Sequence, residues 1–91
     1  MTSPTDYAVN VYGRSGCTKC TATKIMLKKA GLTFGDPVID DHPDKMAYME
    51  ERNMLALPLV EVTGPDGQVE YWNDLDVVKI DELRGKATVT T

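Results

Sequence analysis

Two cysteines, Cys17 and Cys20, stand at the point where a strand-like segment of the chain gives way to a helix-like one. Residues Tyr7–Tyr12 are rich in aromatic and β-branched types, and the residues from Thr18 to about Ala30 favour a helix. A thiol at a helix start faces unpaired backbone N–H groups and the positive end of the helix dipole, which favours its thiolate form. The pattern predicts a redox-active dithiol on a strand–turn–helix unit.

The other segments extend this unit into a small α/β domain. Strands are predicted within Thr33–Ile39 and over Leu57–Val62 and Gln68–Trp72, and helices from Asp41 to about Asn53 and from Asp74 to about Leu83. Gly85 is expected to end the last helix. The order strand, helix, strand, helix, strand, strand, helix predicts a mixed four-stranded sheet flanked by three helices. The length of 91 residues predicts one domain over residues 7–84, with a flexible lead-in at 1–6 and a tail at 85–91.

Composition narrows the class of protein. No apolar run is long enough to span a bilayer, and the N-terminus lacks the charged and apolar regions of a signal peptide, so we expect a cytoplasmic protein. In a reducing compartment a lone close pair of cysteines is more often catalytic or metal-binding than a structural staple. Zinc normally needs four protein ligands, and the chain offers two cysteines and one histidine. Because only a site shared between molecules would supply the rest, we expect no bound metal.

Charge excludes one class of partner and predicts a property of the site. The net charge of −4 argues against nucleic acid, because phosphate binding needs a basic face. Basic residues gather around and after the cysteines, and acidic residues cluster in the middle of the chain: Arg14, Lys19, Lys24, Lys28 and Lys29 against Asp40, Asp41, Asp44, Glu50 and Glu51. We therefore expect a positive face that favours the thiolate and steers acidic partners. Arg14 and Lys19 are the candidates for stabilising the thiolate or binding a partner's carboxylate.

The segment around the cysteines also resembles a known family. Residues 17–24, continuing through Leu27 and 29–32 to Phe34, are similar to the active-site helix of the glutaredoxin branch of the thioredoxin fold. More narrowly, they resemble the small NrdH-type redoxins, which have a glutaredoxin-like body but behave like thioredoxins. The resemblance covers nearly the whole chain and implies a thioredoxin fold of the glutaredoxin type. Cys17 would then be the nucleophile and Cys20 the resolving thiol.

Two further segments fit the resemblance. Pro58 resembles the cis-proline that faces the dithiol in this fold, and a cis bond would leave the Leu57 backbone open to pair with an incoming peptide or glutathione. Residues 72–75 align with the Trp-Ser-Gly-Phe segment of NrdH-type redoxins, of which only the tryptophan is retained. The resemblance implies a substrate platform made by Trp72, Asn73 and Asp74. Trp72 as a half-buried aromatic of an edge strand, and Asp74 as the cap of the last helix, remain open as alternatives.

The resemblance implies a protein-disulfide reductase without a bound cofactor. As a monomer, it would take electrons from NADPH through thioredoxin reductase and pass them to ribonucleotide reductase or another disulfide-containing protein. A glutathione-dependent glutaredoxin is the first alternative; Arg14 favours it mildly, and the absence of the Gly-Gly pair that holds glutathione in such proteins opposes it. A non-catalytic adaptor of the same fold is the second, and the presence of both cysteines opposes it.

Overall fold

The computed structural model describes residues 7–87, which form three strands and three helices. In chain order they are β1 (Ala8–Tyr12), α1 (Thr18–Lys29), α2 (Pro43–Glu51), β2 (Leu59–Thr63), β3 (Val69–Asn73) and α3 (Val77–Ala87), with a short 3-10 helix at Ile39–Asp41. The predicted lead-in at 1–6 and residues 88–91 of the predicted tail lie outside the described residues.

The strands form one antiparallel sheet with β2 in the middle. Tyr12 of β1 lies opposite Leu59 of β2, and Leu59 lies opposite Asn73 of β3. Because side chains alternate across a strand, each strand sends one set of residues to each face of the sheet. The described residues therefore form two cores, one on each side of the sheet.

The first core lies between the sheet and helices α1 and α3. Its buried members come from all these elements: Val9, Val11, Leu27, Leu32, Val60, Val62, Trp72, Ile80, Leu83 and Ala87. The second core lies on the opposite face, where Ile39 of the 3-10 helix and Met49 of α2 pack with Tyr12 and Leu59 of the sheet. Helix α1, whose N-terminal end carries the cysteines, is anchored in the first core by Leu27 near its other end.

The strand predicted within Thr33–Ile39 does not form, so the sheet of the described residues has three antiparallel strands and not four mixed ones. This segment does run parallel to β1, but only through two isolated bridges. Gly35 donates its N–H to the Val9 carbonyl and accepts the Val11 N–H at 2.8 and 3.0 Å. A parallel ladder would next need the N–H of residue 37, which is a proline and has none. The missing donor interrupts the fourth strand.

The last helix begins and ends later than predicted. It starts at Val77 rather than Asp74, and its first turn is capped by Asp76, whose Oδ1 accepts the Lys79 N–H at 3.1 Å. The alternative that Asp74 caps this helix is therefore wrong. The helix also continues through Gly85 to Ala87, which is 1% exposed. Burial of its apolar face outweighs the cost of a helical glycine, about 1 kcal/mol.

Candidate active site

The two cysteines lie on the turn between β1 and α1. Gly16 has φ +81, a backbone conformation that favours glycine, and this turn delivers the chain into the helix. Cys17 is the N-cap residue of α1, and its Sγ accepts the Cys20 N–H at 3.1 Å. The first sulfur therefore occupies the place where a helix N-terminus offers hydrogen-bond donors and a positive dipole end to a negative charge.

Cys17 and Cys20 form a disulfide with their Cα atoms 5.2 Å apart, and their surroundings differ. Cys17 is partly exposed, whereas Cys20 is only 1% exposed. Gly13 packs directly on Cys20, because a Cβ added at Gly13 would lie 3.0 Å from Cys20 Sγ. The partly exposed cysteine can meet a substrate disulfide, and the buried one lies behind it within bonding distance of Cys17. This arrangement suits an attacking thiol and a resolving thiol.

The segment that precedes β2 forms the other side of the site. The Leu57–Pro58 peptide bond is cis. The Pro58 carbonyl accepts the Asp74 N–H at 3.0 Å, and the Asn73 side-chain amide donates to the Ala56 carbonyl at 3.0 Å. Within residues 7–87, no hydrogen bond involves the backbone N–H or carbonyl of Leu57. Residues 73–74 thus fix this segment while leaving one backbone donor and one acceptor free.

An ion pair joins the first turn of α1 to the loop between β3 and α3. Lys19 Nζ lies 2.9 Å from Asp74 Oδ1, and both side chains are about half exposed. Asp74 has φ +70, so it holds the backbone conformation that a glycine would adopt most easily at this position. The hydrogen bond from Lys19, followed by the one from the Leu75 N–H, lowers the pKa of the Asp74 carboxyl below its usual value. The carboxylate is therefore charged at neutral pH.

The cation predicted on the other side of the cysteines has a different partner. Arg14 makes a two-pronged contact with Asp40, Nε to Oδ2 at 3.0 Å and a terminal nitrogen to Oδ1 at 2.8 Å. These hydrogen bonds lower the pKa of Asp40 and raise that of Arg14. Arg14 thus binds a carboxylate of this chain, and its role at the thiolate or at a partner's carboxylate stays a prediction.

The positive face expected around the dithiol is compensated by acidic residues. Besides the Lys19 and Arg14 pairs, Lys24 Nζ contacts Asp36 at 3.1 Å. Asp36 and Asp40 were missed as members of this region, because a carboxylate distant in sequence carries no signal of the cation that it will meet. Three of the five expected cations are therefore paired with carboxylates, whereas no ion pair within residues 7–87 involves Lys28 or Lys29.

The three residues of the predicted substrate platform lie in three different environments. Trp72 is 6% exposed and belongs to the first core, so its indole ring does not form a surface platform. The alternative, a half-buried aromatic of an edge strand, names the strand correctly, because β3 is an edge of the sheet, but the ring is buried rather than half-buried. Asn73 reaches the segment before Pro58, as described above, and only Asp74 reaches the dithiol turn.

A shallow groove of about 410 Å³ begins at Cys17 and follows α1. It is lined by Gly16, Cys17, Thr18, Thr21, Ala22 and Ile25. Ile25 is 49% exposed, so the groove offers apolar surface next to the reactive sulfur. Its position beside Cys17 would accommodate the polypeptide that flanks a substrate disulfide.

Metal-binding groups and membrane-spanning helices are not found within residues 7–87. No group of three or more histidine, cysteine or acidic residues there is placed to hold a metal ion. None of the described helices has the length and apolar character needed to cross a membrane.

The geometry is that of a helix-start disulfide, and comparison with known proteins gives its family. The model of the glutaredoxin family matches residues 9–65, which is more than half of the 91-residue chain. The chain belongs to the glutaredoxin family. No curated protein sequence matches it significantly. Family membership and the Cys17–Cys20 disulfide make it a thiol–disulfide oxidoreductase with a redox-active disulfide.

Solved structures show the same fold. NrdH-redoxin of Escherichia coli, described as a glutaredoxin-like protein with a thioredoxin-like activity profile, superposes with a TM-score of 0.68 at 24% identity over 84% of this chain and 93% of that one. Thioredoxin of Plasmodium falciparum gives 0.60 at 20% identity, covering 93% and 74%. Mitochondrial thioredoxin 3 of Saccharomyces cerevisiae gives 0.58 at 20% identity, covering 85% and 74%. The glutaredoxin-family chain therefore has a thioredoxin-like α/β fold with three helices.

Proposed function

We propose that this protein is an NrdH-type redoxin: a dithiol carrier that reduces protein disulfides with electrons supplied by thioredoxin reductase. The observation that carries the proposal is the difference in exposure between the two cysteines at the start of α1. Cys17 is accessible and lies at the helix N-terminus, and Cys20 is buried directly behind it. The disulfide is the only redox group that this reaction needs, so no bound cofactor is invoked.

In the first step the Cys17 thiolate attacks one sulfur of the substrate disulfide. A bond forms between these two sulfurs, the substrate's own S–S bond breaks, and one substrate thiolate leaves. The N–H groups at the start of α1 stabilise the attacking thiolate, and the Cys20 N–H already points at this sulfur at 3.1 Å. The product is a mixed disulfide between Cys17 and the substrate.

In the second step Cys20 resolves the mixed disulfide. Its thiol loses a proton to solvent, and its sulfur attacks Cys17 Sγ, so that the bond to the substrate breaks and the second substrate thiolate leaves. Two electrons have then passed to the substrate, and the Cys17–Cys20 disulfide described here is the oxidised product. Thioredoxin reductase returns the protein to the dithiol with two electrons from NADPH.

The surface of the site that a partner protein would contact suits an extended polypeptide. The free N–H and carbonyl of Leu57 would pair with its backbone, and the groove along α1 would receive its side chains. Ribonucleotide reductase is the target that the resemblance implies. A monomer in the reducing cytoplasm fits this role.

Glutathione is the competing source of electrons. Where glutathione-dependent glutaredoxins carry two glycines, this chain has side chains, and the Asp74 carboxylate is already paired with Lys19. This occupied position supports thioredoxin reductase as the reductant. The non-catalytic adaptor has no comparable support, because both cysteines lie in reactive positions.

Reduction of insulin disulfides by the protein tests the proposal, with NADPH and either thioredoxin reductase or glutathione plus glutathione reductase. We expect turnover with thioredoxin reductase, none for Cys17→Ser, and a stalled mixed disulfide for Cys20→Ser. Turnover with the glutathione system alone would replace the proposal with the glutaredoxin alternative. Binding of a target by Cys17→Ser without any turnover by the unmodified protein would establish the adaptor.

A further inference from the structure

The Lys19–Asp74 pair places one cation and one anion at the first turn of α1, two positions after Cys17. Lys19 lies between the two cysteines in sequence, and Asp74 comes from the loop between β3 and α3. We propose that Asp74 is a positioning residue that holds the Lys19 ammonium group, so that its charge does not stabilise the Cys17 thiolate and the dithiol remains strongly reducing. The proposal rests on the dithiol chemistry proposed above and adds a residue that sets its driving force.

Asp74 is the fixed partner of the pair. Its N–H donates to the Pro58 carbonyl at 3.0 Å, and its Oδ1 accepts the Leu75 N–H at 2.7 Å. Lys19 has a long flexible side chain on the exposed surface of α1. The carboxylate is therefore held in place by the backbone, and the ammonium group moves to it. Removing the carboxylate would release the lysine rather than rearrange the loop.

The consequence of the pair is chemical rather than structural. The two side chains are 55% and 44% exposed, and exposed ion pairs add little to folding stability. A cation free to approach Cys17 would stabilise its thiolate, which belongs to the reduced form of the protein. Stabilising the reduced form makes a disulfide more oxidising. By neutralising Lys19, Asp74 keeps the dithiol–disulfide equilibrium toward the disulfide, so the dithiol remains a strong electron donor.

Other charged groups near the cysteines are compensated independently. Arg14, from the turn, is bound by Asp40 of the 3-10 helix, and Lys24, farther along α1, is bound by Asp36. Residues 55–58, on the opposite side of the site, contain no ionisable side chain. Asp74 is thus the carboxylate that decides whether the cation between the two cysteines is free.

Asp74→Asn removes the charge and retains the shape. Asparagine tolerates the left-handed backbone at this position, and its side-chain oxygen can still accept the Leu75 N–H. Asp74→Gly is a second variant, because glycine suits the same backbone without any side chain. Asp36→Asn is the matched control: it removes one carboxylate and frees one lysine of α1 farther from Cys17.

The readouts are the pH midpoint of Cys17 thiolate formation, followed by ultraviolet absorbance of the reduced protein, and the dithiol–disulfide equilibrium in a glutathione redox buffer. For Asp74→Asn and Asp74→Gly we expect the midpoint to fall by roughly half a unit to one unit, with about a threefold to tenfold shift of the equilibrium toward the dithiol. Asp36→Asn should match the unmodified protein. In a Lys19→Gln background the effect of Asp74→Asn should shrink to less than about half.

Three results would overturn the proposal. They are an unchanged midpoint and equilibrium in both Asp74 variants, an equal shift in Asp36→Asn, and an undiminished effect of Asp74→Asn when Lys19 is absent. Thiolate titration needs no reductase or protein substrate. Loss of the proposed function would therefore appear as absent turnover in the unmodified protein, while the titration would still decide the role of Asp74.

Discussion

The dithiol end of the molecule and the α2 face of the sheet both carry ion pairs, but they differ in burial. Under α2, Lys45 Nζ lies 3.1 Å from Glu61 Oε2, and these side chains are only 19% and 15% exposed. At the dithiol end, the Lys19–Asp74 pair is 55% and 44% exposed. A carboxylate that is largely shielded from water depends on its protein partners, whereas an exposed one can exchange them for solvent. The first pair therefore supports the fold, and the second is free to serve the chemistry.

The α2-face pair is part of a hydrogen-bonded network. Lys45 donates to the Tyr71 hydroxyl at 2.9 Å, which donates to Glu61 Oε2 at 2.7 Å, and Asn10 donates to Glu61 Oε1 at 3.2 Å. The hydrogen bond with Tyr71 is the largest cause of the raised pKa of Lys45. Three elements, β1, β2 and β3, are thus connected to α2 through one carboxylate.

Glu61→Ala should have the largest effect on stability. It leaves the Lys45 ammonium group and the Tyr71 hydroxyl without their shared acceptor, and we expect a loss of about 2–3 kcal/mol. Urea unfolding followed by circular dichroism measures this loss. The Cys17 thiolate midpoint, recorded on the same variant, should not change; a shift there would mean that the two regions are coupled and would break the comparison.

Tyr71→Phe should have an intermediate effect. It removes the hydroxyl that bridges Lys45 and Glu61 but leaves their direct contact in place, so we expect about 1 kcal/mol of destabilisation. The same urea experiment measures it. If the loss equals that of Glu61→Ala, the hydroxyl and not the carboxylate is the centre of the network.

Acid should weaken the α2 face. Burial raises the pKa of Glu61, but hydrogen bonds from Tyr71, Asn10 and Lys45 outweigh it, and the pKa lies below the usual 4.5. Because the folded-state pKa is depressed, this contribution to stability is present above pH 4.5 and is lost as pH falls through the folded-state pKa. Urea unfolding should be measured at neutral pH and again below pH 4.5. The acid-induced loss of unfolding free energy should be smaller for Glu61→Gln than for the unmodified protein. Equal losses would assign the effect to other carboxylates.

The sequence predicted the parts of the site whose contacts are local. The Cys17–Cys20 disulfide spans three positions, and the helix start that surrounds it is built from the same few residues. Strand β1, helix α1 and the hairpin between β2 and β3 are likewise decided by short-range preferences. These elements alone are sufficient to place a dithiol at a helix N-terminus.

The remaining features depend on contacts between residues far apart in sequence. Arg14 and Asp40 are 26 positions apart, as are Lys45 and Tyr71, and neither contact follows from residue type. The burial of Trp72 was ambiguous because Tyr71 beside it is also aromatic, so alternation along β3 did not say which ring faces which core. The register with β2 decides this, since Trp72 lies opposite the fully buried Val60.

Asp40→Asn should have the smallest effect on stability. It sharpens the comparison because it removes an exposed ion pair at the dithiol end. Arg14 and Asp40 make two good hydrogen bonds, yet their side chains are 49% and 51% exposed, and water can replace each partner. We expect no measurable change in the urea midpoint at moderate salt. Asp40→Ala should behave in the same way, because no buried group loses its partner. A midpoint that falls as far as in Tyr71→Phe would show that the turn before the cysteines is held by this pair, and that exposure alone does not separate structural from functional charges in this fold.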